Sequence, residues 1–245
     1  MEDTPYEAWS RRVCAVLGQY EISDGLVLDL GCGTGTMTEL LAGRGYDMIG
    51  IDNAQEMLSC AMKKRDVSGH DILYLCQDMR EFELYGTVRA IVSVCDSVNY
   101  ILKEEELLQV FVLVNRYLDP DGIFYFDFNT IYKYREVIGD STIAENREHC
   151  SFIWENYYQE EGHINEYDVT VFAEEEDGRF RRFTETHFQR GYSLEEIKNL
   201  LEEAGMIFLE ARDGDTQGSV TPASERICVI ARENGKSTEN GGHHE

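Results

Sequence analysis

The sequence predicts an α/β protein, a doubly wound and mostly parallel sheet that carries an inserted antiparallel β-sheet. Three observations lead there. Short apolar runs alternate with amphipathic stretches through residue 130, the pattern of strands joined by crossover helices. The first run ends in an acid and three glycines at alternate positions, Leu26-Val27-Leu28-Asp29-Leu30-Gly31-Cys32-Gly33-Thr34-Gly35. After residue 130 the spacing changes to strict alternation, as in antiparallel strands with one covered face.

The elements follow in order. Residues 5–19 form an opening amphipathic helix with Trp9, Val13, Val16 and Leu17 on one face. Leu26-Val27-Leu28 has no polar alternation and reads as a buried parallel strand. Gly31, Gly33 and Gly35 let the backbone turn sharply and approach a ligand. A helix from about Thr36, with Met37, Leu40 and Leu41 on one face, would aim its free N–H groups at the same place. A second strand over 46–51 ends in Asp52, where an acid can accept both ribose hydroxyls of a nucleoside. A helix over 54–65 and a strand over 72–75 lead into Gln77-Asp78-Met79. A strand over 91–94 precedes a helix over 103–118 with Leu107, Leu108, Phe111, Val112 and Val114 inward, then a strand over 122–127. Residues 149–158, 163–173 and 179–190 read as antiparallel strands, separated by the turn signals Glu161-Gly162 and Asp177-Gly178. Tyr167, Val169, Val171 and Ala173 mark the covered face of the middle one. Ser193 caps a helix that runs through Ala204, with Glu196 completing a capping box and Gly205 ending it. Strands over 206–211 and 226–231 close the fold, and the polar, glycine-rich residues 234–245 are expected to be disordered.

Composition narrows the class. A chain of 245 residues with 42% hydrophobic content suits one α/β domain with an elaboration. Its longest apolar runs are strand-length, so no transmembrane helix is expected. The acidic start Met1-Glu2-Asp3-Thr4-Pro5 has no secretory apolar region. Seven scattered cysteines without a C-x-x-C pair read as small buried hydrophobes in a reducing cytoplasm. The net charge of −25, from 22 basic and 47 acidic residues, lacks the cationic footprint that nucleic acid or an anionic membrane requires. A small molecule is the expected partner, and the sequence selects no oligomeric state.

The glycine spacing narrows the nucleotide. A dinucleotide fingerprint needs G-x-G-x-x-G, with its third glycine at the helix–strand contact. Here Thr36 holds that position and the last glycine comes one residue early, which disfavours NAD. G-x-G-x-G after an acid, with Asp52 and Gln77-Asp78-Met79 at the next two strand ends, resembles the class I S-adenosylmethionine-dependent methyltransferases. The resemblance implies S-adenosylmethionine as cofactor and a seven-stranded sheet whose last strand is antiparallel. It implies that Asp78 meets the adenine amino group while Met79 covers the ring. It extends the cofactor set to Asp29, Gly31, Cys32, Gly33, Gly35, Asp52, Asn53, Met57 and Cys95, and to Tyr6, because in several relatives the first helix closes over the cofactor. A sheet inserted between the fifth and sixth strands resembles the small-molecule members, including nucleotide-sugar N-methyltransferases, where it roofs the substrate pocket. The implied organisation is a cofactor-binding core over 1–130, a substrate lid over 131–190, and a closing helix and strand pair over 191–233.

Methyl transfer is an in-line displacement that depends mainly on alignment, with a base needed only when the acceptor arrives protonated. Its carriers should sit at the carboxyl ends of the fourth and fifth strands. The fourth ends in Cys95-Asp96-Ser97-Val98-Asn99-Tyr100, without the Asn/Asp-Pro-Pro-Tyr of amino-methyltransferases acting on adenine, cytosine or glutamine. Asp96 is a candidate to orient the cofactor or accept a proton, or else caps the following turn; Tyr100 bounds the pocket and, with Asp96, is the catalytic candidate next after His187. Asp127-Phe128-Asn129 with Asp96 resembles the Mg²⁺ carboxylates of catechol-type O-methyltransferases but lacks their adjacent acid–amide pair, so no metal is expected. His187 shares a polar strand face with Glu185 and Gln189, with Arg190 on the other. On the roof of the pocket it is the candidate general base, against the reading of an ordinary exposed histidine. The leading expectation is methyl transfer to nitrogen or oxygen of a small molecule. The alternative is a non-catalytic S-adenosylmethionine-binding sensor or partner protein on the same scaffold.

Overall fold

The computed structural model describes residues 5–236. In chain order it contains α1 (Tyr6–Gln19), β1 (Leu26–Leu30), α2 (Thr36–Ala42), β2 (Asp47–Asp52), α3 (Gln55–Ser68), β3 (Ile72–Cys76), β4 (Val88–Ser93), α4 (Glu104–Tyr117) and β5 (Leu118–Asn129). Then follow β6 (Thr142–Asn146), β7 (Cys150–Gln159), β8 (Ile164–Glu174), β9 (Phe180–Arg190), α5 (Leu194–Glu203), β10 (Ile207–Asp213) and β11 (Arg226–Arg232). Seven strands form one sheet in the order β10-β11-β5-β4-β1-β2-β3, and β6-β7-β8-β9 form a second, antiparallel sheet. In the large sheet only β11 runs against its neighbours. Strand order reverses between β1 and β4, so their carboxyl ends flank a crevice.

The continuous apolar runs are explained by two-sided burial. Val27 and Val92 face a layer with Val13 and Leu17 of α1 and Met37 and Leu41 of α2. Their neighbours Leu28 and Ile91 face the opposite layer, with Phe111 of α4 and Ile197 of α5. Alternate side chains of one strand thus enter different cores, and neither face needs a polar residue. The capping box forms as expected: Glu196 N–H donates to Ser193 Oγ (3.2 Å) and Ser193 N–H to Glu196 Oε2 (2.7 Å).

Four expectations need correction. In α4 the inward positions are Leu107, Val110, Phe111 and Val114, while Val112 is 39% exposed, because the i, i+3, i+4 stripe passes it by. β6 carries no covered face (all five residues are exposed), so no hydrophobic pattern announced it. In β8 Tyr167 is buried, whereas Val169, Val171 and Ala173 are half-buried and Thr170 on the opposite face is buried. Residues 234–236 are tied to the end of α4: Lys236 Nζ donates to the carbonyls of Asn115 and Arg116 (2.8 Å each), a C-terminal capping contact. Residues 237–245 of the expected tail lie outside the described residues. Among the described residues, no helix is long and apolar enough to cross a membrane.

Candidate active site

The glycine turn closes onto β2. Gly31 and Cys32 N–H both donate to the Ile51 carbonyl (2.8 and 2.9 Å). Gly33 N–H donates to Asp52 Oδ2 (2.8 Å) and Ala54 N–H to Oδ1 (2.9 Å). These two bonds orient the carboxylate, and each oxygen keeps a second lone pair for a ribose hydroxyl. Gly33 has φ +54° and nothing within 4 Å of where a Cβ would stand, so a side chain there would fill open crevice. Gly35 has a packing role. A Cβ on it would collide with the Tyr74 hydroxyl and with Ala61, so it serves helix–sheet packing.

Asp29 lies beneath this turn, 1% exposed, and accepts from Thr38 Oγ1 (2.6 Å). Burial, opposed by that hydrogen bond and reinforced by Asp52, pushes its carboxyl up to about 7. Burial also holds the Cys32 thiol up in its neutral form. Asn53 and Met57 are exposed at the mouth beside Asp52, and the methyl end of Met79 lies 3.3 Å from where a Cβ of Gly31 would stand. Asp78 is turned to a neighbour: Arg80 Nε donates to its Oδ1 (2.9 Å) and Nη2 to its Oδ2 (2.5 Å), which holds its carboxyl below the ordinary range. Tyr6 of α1 reaches across the crevice, its hydroxyl donating to Cys95 Sγ (3.8 Å). An open glycine cradle, a presented acid and the absence of the third fingerprint glycine fit a nucleoside cofactor without pyrophosphate, as S-adenosylmethionine is.

The other wall is built from side chains remote in sequence. Cys95 and Asp96 both adopt left-handed backbone (φ 66° and 55°), which costs non-glycine residues about 1–2 kcal/mol each. Asp127 at the end of β5 holds them there, accepting from Asp96 N–H (2.8 Å) and Cys95 N–H (3.2 Å). Arg226, the first residue of β11, binds Asp96 Oδ1 (2.8 Å) and Asp127 Oδ1 (2.9 Å) and lies over the Trp9 ring at 5.3 Å. Burial raises the Asp127 carboxyl, and Arg226 opposes the shift. Asp96 Oδ2 accepts from Gln189 Nε2 of β9 (2.8 Å), whose Oε1 in turn accepts from the Tyr134 hydroxyl (2.8 Å). Asp96 is therefore clamped between core and inserted sheet, beyond the turn-capping considered from sequence. Asn99 adds a second brace, donating to the carbonyls of Asn129 (2.9 Å) and Arg190 (2.7 Å).

His187 stacks on Tyr167 at 5.0 Å, and its Nδ1 is 3.4 Å from the Tyr100 hydroxyl. Tyr100 and Tyr167 hydroxyls share a hydrogen bond (2.9 Å), while His187 Nε2 lies 3.3 Å from exposed Glu185. Thus the three candidate catalytic residues cluster: Tyr100 and Asp96 follow β4, and His187 comes down from the inserted sheet. Sequence reasoning missed Arg226, Tyr167, Tyr134 and Lys133. Lys133 Nζ donates to Asn129 Oδ1 (3.1 Å), and burial pushes its amine below the ordinary range. The available signal was an arginine heading the apolar run Ile227–Ala231, with nothing nearby to say what it met.

Comparison with known proteins agrees with this geometry. A family profile described as a methyltransferase domain matches residues 27–122. The "Putative methyltransferase YqeM" of Bacillus subtilis (strain 168) is 35% identical over 233 residues, covering 95% of this chain and 92% of the relative. The dTDP-3-amino-3,4,6-trideoxy-alpha-D-glucopyranose N,N-dimethyltransferase of Streptomyces venezuelae is 34% identical over 98 residues, 40% of this chain and 39% of its own. The crystal structure of an S-adenosylmethionine-dependent methyltransferase from Clostridium acetobutylicum ATCC 824 superposes with a TM-score of 0.89 at 28% identity, covering 96% of this chain and 94% of that one. Glycine turn, strand order, inserted sheet and near full-length relatives agree: the chain belongs to the class I S-adenosylmethionine-dependent methyltransferases.

Proposed function

We propose that this methyltransferase acts on a nitrogen of a small-molecule amine held between the carboxyl ends of β4 and β5 and the inserted sheet. The observation that carries the reading is the meeting of Tyr100, Tyr167 and His187 beside Asp96. The cofactor, when bound, supplies an electrophilic methyl group on a sulfonium. Gly31, Gly33, Asp52 and Met79 would hold its nucleoside, Tyr6 would cover it, and Asp78 would accept from the adenine amino group. The exposed ring of Tyr100 offers an ammonium cation–π contact. His187 takes the ammonium proton, and the paired tyrosine hydroxyls keep the imidazole in place. Residues 131–190 act as the substrate lid. The partial match to an aminosugar N,N-dimethyltransferase supports nitrogen as the acceptor atom. The unpaired cysteines suit a reducing cytoplasm.

The test is release of S-adenosylhomocysteine from S-adenosylmethionine in the presence of pooled small amines, with mass spectrometry of the product. His187→Ala is expected to lower turnover by ~10²–10⁴-fold, the usual contribution of a general base, while S-adenosylhomocysteine affinity changes little. An O-methylated product would overturn the nitrogen assignment, and unchanged turnover would remove His187 from catalysis. Tight cofactor binding without turnover on any pool would favour the sensor reading.

A further inference from the structure

β9 is an edge strand of the inserted sheet, and each of its residues from Phe180 to Thr186 is exposed. An outer edge of this kind presents unpaired N–H and C=O groups, which proteins usually blunt with proline, a bulge or a short strand. Phe180-Arg181-Arg182-Phe183-Thr184-Glu185-Thr186 has no proline and no bulge and pairs with β8 without a register shift, so its charges, Arg181, Arg182 and Glu185, are the guard on this edge and decide which strand can add to it. We propose that a second copy of this chain adds to that edge, β9 against β9 antiparallel, about a two-fold axis at Phe183.

The register follows from charge and face. A two-fold axis normal to the sheet sets facing residues on the same face, so it must pass through a residue. At Phe183 it places Arg181 opposite Glu185 of the second copy, twice by symmetry, and Phe183 against its own copy. Phe180 then faces Thr186, so the pairing spans the whole exposed run. An axis at Arg182 sets two arginines face to face, one at Glu185 sets two glutamates face to face, and one at Thr184 makes no acid–base pair. Opposite charges directly across a strand pair stabilise it and like charges destabilise it, which selects the Phe183 register. The present partners of these side chains are weak: Arg181 lies 3.9 Å from Glu175 and over the Phe183 ring at 5.2 Å, and Glu185 lies 3.3 Å from His187, with the Arg181 and Glu185 side chains 65% and 75% exposed. Phe183, itself 45% exposed, leaves water at the axis. A seam one strand wide lies at the small end of stable interfaces, so micromolar self-association is expected.

Sedimentation velocity at ~150 mM salt over ~1–200 µM protein tests this. The expected result is a concentration-dependent dimer. Arg181→Glu and Glu185→Arg should each weaken it at least ~10-fold, and the double reversal should restore it to within ~3-fold. Phe183→Ser, at the axis, should also weaken it. Far-UV circular dichroism and melting of each exposed-site variant exclude loss of fold as the cause. A monomer throughout the range, or a dimer indifferent to the single reversals or not rescued by the double, overturns the proposal.

Discussion

The two walls of the crevice are held by opposite means. On the cofactor side the backbone supplies the donors: Gly31, Cys32 and Gly33 donate N–H groups to Ile51 and Asp52 at the end of the adjacent strand β2. On the acceptor side the bonds run between side chains far apart in sequence. Asp96 meets Arg226 across 130 residues and Gln189 across 93. A turn fixed by its own backbone tolerates changes elsewhere, whereas the acceptor wall exists only once β11 and the inserted sheet are both in place. The cofactor wall is thus a local device. The acceptor wall is a product of assembly, and it links the inserted sheet to the core.

Three experiments can break or sharpen this contrast. The largest effect is expected from Arg226→Met, which leaves Asp127 buried without its counter-charge and removes one support of Asp96. Breaking a buried pair in this way typically costs ~3–5 kcal/mol, readable as a lower urea midpoint. Arg226→Lys keeps the charge but cannot fork between two carboxylates and should fall in between. A methionine variant as stable as the parent would show that the acceptor wall is held by packing alone.

Next is Asp52→Ala, on the cofactor wall. Two charge-assisted hydrogen bonds to the ribose disappear, so calorimetry should find S-adenosylhomocysteine bound more weakly by roughly 2–3 kcal/mol. Melting of the cofactor-free protein should fall less than in the Arg226→Met variant, because the carboxylate is half-buried and accepts only from the backbone of Gly33 and Ala54. Unchanged affinity would make Asp52 a turn residue only.

The smallest effect per pH unit concerns Asp29. Its carboxyl is raised to about 7 in the folded chain, so the folded state holds a proton that the unfolded state has already released. That contribution to stability is complete below the ordinary carboxyl range near ~4 and is lost as pH rises through about 7. One such group gives a slope of at most ~1.4 kcal/mol per pH unit. Asp29→Asn should flatten the stability curve between those limits, and an identical slope in the variant would place the titration elsewhere.

How far each wall could be read from sequence follows the same division. Asp29, the three glycines and Asp52 were legible because turn, strand end and ribose acid are set by neighbours a few residues apart. His187 was legible as a candidate through strand alternation, which put it on one face with Gln189. Tyr167 was legible only as a covered residue, because its partners Tyr100 and His187 come from other elements. β6 had no signature, since a strand exposed on both faces carries no hydrophobic period.

Local chemistry in the chain therefore specified the parallel sheet, three of the four inserted strands, the capped helix at Ser193 and the glycine cradle, because periodicity, caps and turns act over a few residues. Tertiary structure alone decided that Gly35 yields space to Tyr74 and Ala61, that Asp96 and Asp127 share Arg226, and that Gln189 ties the inserted sheet to the core. These facts depend on which strands become neighbours. A buried charge or a close approach takes its meaning from the atom opposite, and sequence distance does not reveal that atom.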